Sequence, residues 1–372
     1  MTSTLEAPAA GRLAEALLRA VPAAHRGLAA LAEHLRRGPG TYALHETTSA
    51  ARPFLLAALQ RAVEGSFLIV VPTAEAAERT FAELLYYQGE IEAQSVTLLR
   101  SRDETIGALE SPSERSARMT LLADLSAGRR RLVVAPIAAV RQYVMPRAVF
   151  NALRCEVCSG SEAGWEALQT RLHRLGYRRV DVVSAAGEYA VRGGILDVFP
   201  ATAAQPVRLE FFGDRVETIR AFALESQRSE RDLESVEIVP WSEIPREDAV
   251  RERVTARFDG PENVRAALRV FLESGADLPE AWLSLAFGER ATILDYFDER
   301  GVVVLEEPSM LAAVERALDE ERRREAQLLL DADGELSIDD DAVGEALLAE
   351  VAAPHPCLED LRDQLSGRRV LV

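Results

Sequence analysis

The chain of 372 residues contains no lysine, so each of its 43 basic residues is an arginine. That absence removes the side chain that a phosphate-binding loop sets on the β- and γ-phosphates of a nucleotide. Cysteine is scarce too: Cys155, Cys158 and Cys357 provide no disulfide framework for a chain of this size. The Cys155-x-x-Cys158 pair is either half of a zinc site or two small apolar residues in or near a strand. A second CxxC or a paired histidine at ligand spacing is missing, and the five histidines are scattered, which favours the second reading and no bound metal. No apolar run approaches the roughly 18 to 20 residues of a membrane span. Glu6 and Glu15 stand where a signal peptide carries basic and then uncharged residues, so a cytoplasmic location without membrane contact is expected. The sequence also has no G-x-S-x-G nucleophile elbow, no His/Asp/Ser arrangement and no repeat of 20 to 50 residues.

What is present describes a globular protein of two or three domains, with 48% hydrophobic and 28% charged residues. A net charge of −17 excludes a general affinity for nucleic acid, because the mean field repels a phosphate backbone. Helical patterns over Leu13–Val21 and Leu28–Arg37 end at Gly38-Pro39-Gly40. Strands at Tyr42–Leu44, Phe67–Val71, Val96–Leu99 and Arg131–Ala135 then alternate with helices at Phe54–Val63, Ala74–Tyr87 and Ser113–Ser126, which predicts a parallel sheet covered on both sides. After a helix at Trp165–Leu175 the texture becomes α+β, with strands at Arg179–Val183, Tyr189–Val198, Val207–Phe212 and Arg215–Phe222. A helix at Pro261–Ser274 follows, and β/α texture returns with Thr292–Phe297, Val302–Leu305 and a charged helix at Met310–Leu330. Leu330–Glu345 reads as an acidic linker, and Arg369–Val372 as the start of a strand, which suggests a fragment of a longer protein.

The first strand-to-helix turn of a parallel sheet is where a phosphate loop belongs. Here it ends in Ala50, Ala51, Arg52 and Pro53, without the loop's glycines, so catalytic ATP hydrolysis is not expected. Glu306 and Glu307 close an apolar strand as magnesium-holding carboxylates do, or are simply two solvated glutamates; without a triphosphate loop the second is favoured.

The other candidate site lies in Val207–Ile219, VRLEFFGDRVETI, a hairpin with Gly213-Asp214 suited to a type II′ turn. Alternation puts Val207, Leu209 and Phe211 on one face, and Arg208, Glu210 and Phe212 on the other. A large aromatic thus shares the charged face. Either it packs under the Trp165–Leu175 helix, or it forms a protein-binding hot spot with Arg208 and with Arg192, which precedes Gly193-Gly194.

The runs RGGILDVFP, PVRLEFFGD, VETIRAF and SQRS resemble the UvrA-binding second domain shared by UvrB and the transcription-repair coupling factors, the Mfd family. GALESPSERSARMTLLADLSAGRRRLVVAPIAAV and ILDYFDERGVVVLEEP are similar to the two halves of the first domain in the coupling factors. The resemblance implies a degenerate P-loop NTPase-like (UvrB-like) α/β domain interrupted by an inserted α+β UvrA-binding domain. The expected boundaries are 1–40 (helical segment), 41–153 (first half, with the degenerate nucleotide loop), 154–240 (insert), 241–329 (returning half) and 330–372 (acidic linker and start of a further domain). It also implies that Arg192, Arg208 and Phe212 contact UvrA, and that the chain is a cofactor-free, monomeric adaptor without enzymatic activity. RNA polymerase and DNA are then reached only through C-terminal domains beyond this chain. The same resemblance implies that in the longer protein the C-terminal part masks the UvrA face, so here it is expected open. The alternative is a damage-binding ATPase of the UvrB kind, whose intact P-loop and aromatic hairpin this sequence lacks.

Overall fold

Phe67–Val71 reads FLIVV, so a strand formed from it has no polar face and must be covered on both sides. The computed structural model describes residues 26–44, 47–48, 51–92, 95–102, 111–258, 262–274, 277–278, 282–331, 356 and 358–372. The helix expected over Leu13–Val21, the acidic stretch beyond residue 331 and Cys357 lie outside them. The chain begins with α1 (Arg26–Arg37), β1 (Gly40–Tyr42), α2 (Arg52–Ala62), β2 (Phe67–Val71), α3 (Ala74–Glu92), β3 (Val96–Leu98), α4 (Pro112–Ser126) and β4 (Leu132–Pro136). Next come α5 (Ile137–Arg141), α6 (Arg147–Leu153), β5 (Cys155–Cys158), α7 (Trp165–Arg174), β6 (Arg178–Arg179), β7 (Glu188–Arg192) and β8 (Ile195–Val198). Strands β9 (Val207–Phe212), β10 (Arg215–Phe222), β11 (Ser229–Asp232) and β12 (Ser235–Ile238) follow. The remainder is α8 (Asp248–Arg257), α9 (Glu262–Glu273), α10 (Leu283–Phe287), β13 (Val302–Leu305), α11 (Pro308–Asp331), α12 (Leu358–Leu365) and β14 (Arg369–Leu371).

The first sheet is parallel throughout, in the order β1-β14-β13-β2-β4-β3. Alternate residues of its central strands enter two different cores. Phe67, Ile69, Leu132, Val134 and Val302 pack with residues of α1, α2 and α3. Leu68, Val70, Val133 and Val303 pack with Met119 and Leu122 of α4. Helix α4 starts where Ser111 accepts a hydrogen bond from the Glu114 amide at 3.2 Å and proline fills the first turn. The second core continues without a break through Leu168 and Leu172 of α7 to Leu196 and Leu209, so the insert shares its interior with the parallel-sheet unit.

In the insert, β11-β10-β9-β8-β7 run antiparallel and β6 joins β7 in parallel at the edge. Several expectations are corrected. Tyr189–Val198 is two strands, because Gly193, at φ +58°, turns the chain and Arg192 pairs with Ile195. Arg179–Val183 leaves the sheet after Arg179, since the Ser184 and Ala185 amides turn inward to donate to the Glu188 carboxylate. Thr292–Phe297 is not a strand but a 3-10 turn, capped reciprocally by Thr292 and Asp295. Strand β1 lies two residues earlier than expected, and α8 and α10 were not anticipated. Arg369–Leu371 does not open a further sheet: β14 inserts between β1 and β13 of the first one, where Arg369 donates to the Glu64 and Arg300 carbonyls.

Candidate functional site

The β9–β10 hairpin forms as its sequence requires. Phe212 pairs with Arg215 across a two-residue turn, and Gly213 takes φ +63° at the first turn position. Phe211 points to the core side and meets Trp165 of α7 edge-on, with ring centroids 5.1 Å apart. Its neighbour Phe212 points the other way and is 77% exposed. The aromatic under the helix is therefore Phe211, and Phe212 stands in solvent.

Arg208 lies on the same face as Phe212, directly opposite Asp197 of β8. Its guanidinium grips that carboxylate with both prongs, Nε at 2.7 Å and Nη2 at 2.9 Å, and Asp197 is only 2% exposed. The third prong, Nη1, reaches the Gln227 carbonyl at 3.3 Å, and the group rides 4.8 Å from the Phe222 ring centroid. Hydrogen bonding to Asp197 raises the pKa of Arg208 above its ordinary value, against the opposing effect of burial. Arg192 is exposed and donates to the Asp181 carbonyl at 2.7 Å. Glu210, between Arg208 and Phe212 on β9, is bridged by Arg220 of the neighbouring β10 at 3.3 Å and accepts from Thr218 at 3.0 Å, while Arg220 also reaches Asp232 at 3.0 Å. Such exposed pairs contribute little stability, but they leave few charges unmatched in the middle of the face. At the β7 edge Glu188 is buried, which pushes its pKa up. Hydrogen bonds from the Ser184 amide and hydroxyl, Arg178 and the Ala185 amide outweigh that, and the carboxyl stays below its usual range. Sequence reasoning missed Asp197 and Gln227; Asp197 is placed opposite Arg208 by the pairing of Val198 with Val207 where β8 returns into β9.

The second candidate lies at the carboxyl ends of the parallel strands. Among the loop residues singled out, Ala50 lies outside the described residues, Ala51 is the N-cap of α2 without a side-chain cap, and Pro53 is in the first turn. Arg52 reaches Glu307 at 3.1 Å and Glu306 at 3.8 Å, so two motifs some 255 residues apart meet in one ion-pair cluster. Glu307 takes a left-handed φ of +51°. Burial raises the Glu306 pKa; Arg52 opposes this, Glu307 adds to it, Arg79 opposes and Glu83 adds. A carboxyl with a raised folded-state pKa favours folding below the unfolded value of about 4.3, and that contribution is lost as pH rises through the folded value. Glu306→Gln is therefore expected to raise the melting temperature at pH 8 and to leave it unchanged at pH 4. A fall at pH 8 in a thermal melt refutes the assignment.

Among the described residues no group of three or more His, Cys, Asp or Glu is arranged to hold a metal ion. Cys155 and Cys158 lie on β5, which pairs only with β12, and burial raises the pKa of the Cys155 thiol. No described helix is long and apolar enough to cross a membrane.

Residues 156–243, from β5 through β12, match the UvrB interaction domain. The chain is 31% identical over 235 residues to the transcription-repair-coupling factor of Bacillus subtilis (strain 168), a match covering 58% of this chain and 20% of that protein. It is 36% identical over 211 residues to that of Myxococcus xanthus, covering 55% of this chain and 18% of that protein. With the Escherichia coli (strain K12) factor it shares 29% identity over 269 residues, 70% of this chain and 23% of that protein. The matched region thus spans about a fifth of the length of each of these curated relatives. The resemblance read from the sequence is borne out: the chain is similar to the transcription-repair-coupling factors over 55 to 70% of its length, and its antiparallel insert is the part that matches the UvrB interaction domain.

Proposed function

We propose that this chain is an adaptor module that binds UvrA through the polar face of β7 to β10 and so brings excision repair to stalled RNA polymerase. The observation that carries this reading is Phe212: a large aromatic 77% exposed on a sheet face whose own core needs are met by Phe211 and Trp165. Exposed aromatics flanked by arginines are the usual anchors of protein interfaces. Phe212 enters an apolar recess on UvrA, and Arg192 pairs with acceptors beside it. Arg208 spends three of its five donors inside the chain, leaving the outer edge of its fork for the partner. The contacts with RNA polymerase and DNA belong to domains beyond this chain, and the module works as a monomer in the cytoplasm.

In the same reading the turn at Ala50–Pro53 is a degenerate nucleotide loop and the module has no ATPase activity. The pairing of Arg52 with Glu306 and Glu307 supports this, because it engages the turn's one basic side chain with the two acids that a metal ion would need.

The test is surface plasmon resonance against purified UvrA. Phe212→Ala is expected to weaken binding by about 2–4 kcal/mol, the size of a hot-spot truncation. Its melting temperature should not change, since the ring touches solvent. Equal affinity of the variant and the parent, or no binding by the parent, overturns the reading.

A further inference from the structure

Six large hydrophobic side chains are exposed among the described residues, and three of them, Val182 (47%), Phe212 (77%) and Leu224 (36%), belong to the insert. Val182 lies in the turn between β6 and β7, and Leu224 in the turn between β10 and β11. Both turns fold over the polar face. Beneath them Val183, Ala190 and Phe222, with Val180 and Phe199, form a small core separate from the main one.

Gln227 clasps the two turns together. Its side-chain amide donates to the Val183 carbonyl at 3.3 Å and to the Leu224 carbonyl at 2.8 Å. It does so from φ +56°, a left-handed conformation disfavoured for any residue with a Cβ. Glycine or asparagine suits that backbone better, but a glycine has no amide to reach both carbonyls. Arg192 and Arg208 are each tied to one of the turns: Arg192 donates to the Asp181 carbonyl, and Arg208 to the Gln227 carbonyl.

We infer that Val182 and Leu224 form a second apolar pole of the UvrA-docking face, held in place by Gln227 as a positioning residue. The inference rests on the adaptor reading above. Phe212 ends β9 at one turn, and Leu224 follows β10 at the far end of the same pair, with Arg208 lying between them along the strand. The poles are separated by more than the length of the six-residue strand β9, since Leu224 lies two residues past the end of β10: about 20–25 Å along the strand direction. A standard interface buries about 800 Å² on each partner, a disc roughly 30 Å across, so one partner covers both poles at once. The matching UvrA surface has two apolar recesses with hydrogen-bond acceptors between them, facing Arg192 and the outer edge of Arg208.

The experiment is surface plasmon resonance on immobilised UvrA with the parent chain, Phe212→Ala, the double variant Val182→Asp/Leu224→Asp, and Gln227→Gly. The double variant is expected to raise Kd roughly tenfold or more, because a desolvated carboxylate replaces an apolar contact. Its melting temperature should be unchanged, as both side chains are exposed. Gln227→Gly relieves the backbone conformation but opens the clasp, so it should bind with a faster dissociation rate without loss of stability. If the double variant binds within about twofold of the parent while Phe212→Ala does not bind, the face ends at Phe212 and this inference fails alone. If the parent itself does not bind, the adaptor reading fails and this inference falls with it. Should the double variant unfold, hydrogen exchange on the parent decides: amides at 180–184 and 224–228 gain protection on adding UvrA, or the second pole is refuted.

Discussion

Arg208→Ala is expected to destabilise the fold by about 3–5 kcal/mol, the cost of stripping the partner from a buried charge. Asp197 is 3% exposed at its side chain and accepts from Arg208 at both oxygens. Without the guanidinium, its carboxylate lies under the 180–184 and 223–228 turns with no cation to balance it. The small core around Phe222 also loses the planar group stacked over its ring. Urea denaturation should therefore show a lower midpoint for Arg208→Ala, and Asp197→Asn/Arg208→Ala should recover most of the loss. A single variant that melts like the parent would mean that this pair contributes no more than a surface ion pair. The result bears directly on function. Loss of UvrA binding by Arg208→Ala alone is ambiguous between a lost contact and a lost fold, whereas the stabilised double variant separates the two.

That complication shows where the sequence was legible and where it was not. The two-residue period of Val207–Phe212 and the Gly213-Asp214 corner were enough to put Phe211 and Phe212 on opposite faces, but not to say which of them lies under the Trp165–Leu175 helix; that place is taken by Phe211. The all-apolar β2, β4 and β13 likewise had to lie inside a covered parallel sheet. Arg208 was harder. Its partner is fixed by the register of β8 on β9, which is set where the chain returns from Val198 to Val207 across the eight-residue connection 199–206, a loop whose length and turn the local pattern does not specify. The apolar run at Thr292–Phe297 has strand-like composition, but Asp295 three residues after Thr292 is a capping signal that overrides it. The position of β14, and the meeting of Arg52 with Glu306 and Glu307, are long-range outcomes of sheet order. Local pattern does not encode them, although the carboxyl ends of parallel strands are where such groups converge.

Glu243→Ala is expected to cost about 3–5 kcal/mol as well, by a similar mechanism at the joint between the insert and the parallel-sheet unit. Glu243 is fully buried and is the last residue of the UvrB interaction domain match. It accepts from Arg102, which follows β3, lies 3.2 Å from Arg118 of α4, and accepts from the Met145 amide at 2.8 Å. Arg102 also donates to the Tyr143 carbonyl, and the Tyr296 hydroxyl donates to the Met145 carbonyl at 2.7 Å, so the cluster draws on five separate segments. Deleting the shared carboxylate removes the counter-charge from two buried guanidiniums together with the acceptor of a buried amide. Glu243→Gln keeps the shape and should still be costly, since the missing element is charge. The triple variant Arg102→Met/Arg118→Met/Glu243→Leu replaces the charges with apolar side chains and should recover much of the loss, staying below the parent because the Met145 amide and the Tyr143 carbonyl lose their partners. If Glu243→Ala and the triple variant are equally unstable, the loss is one of packing rather than of charge. If the triple variant is stable yet binds UvrA as the parent does, the ion cluster is not needed to present the Phe212 face. Weaker binding by that stable variant would instead make the cluster the device that fixes the insert in its working orientation.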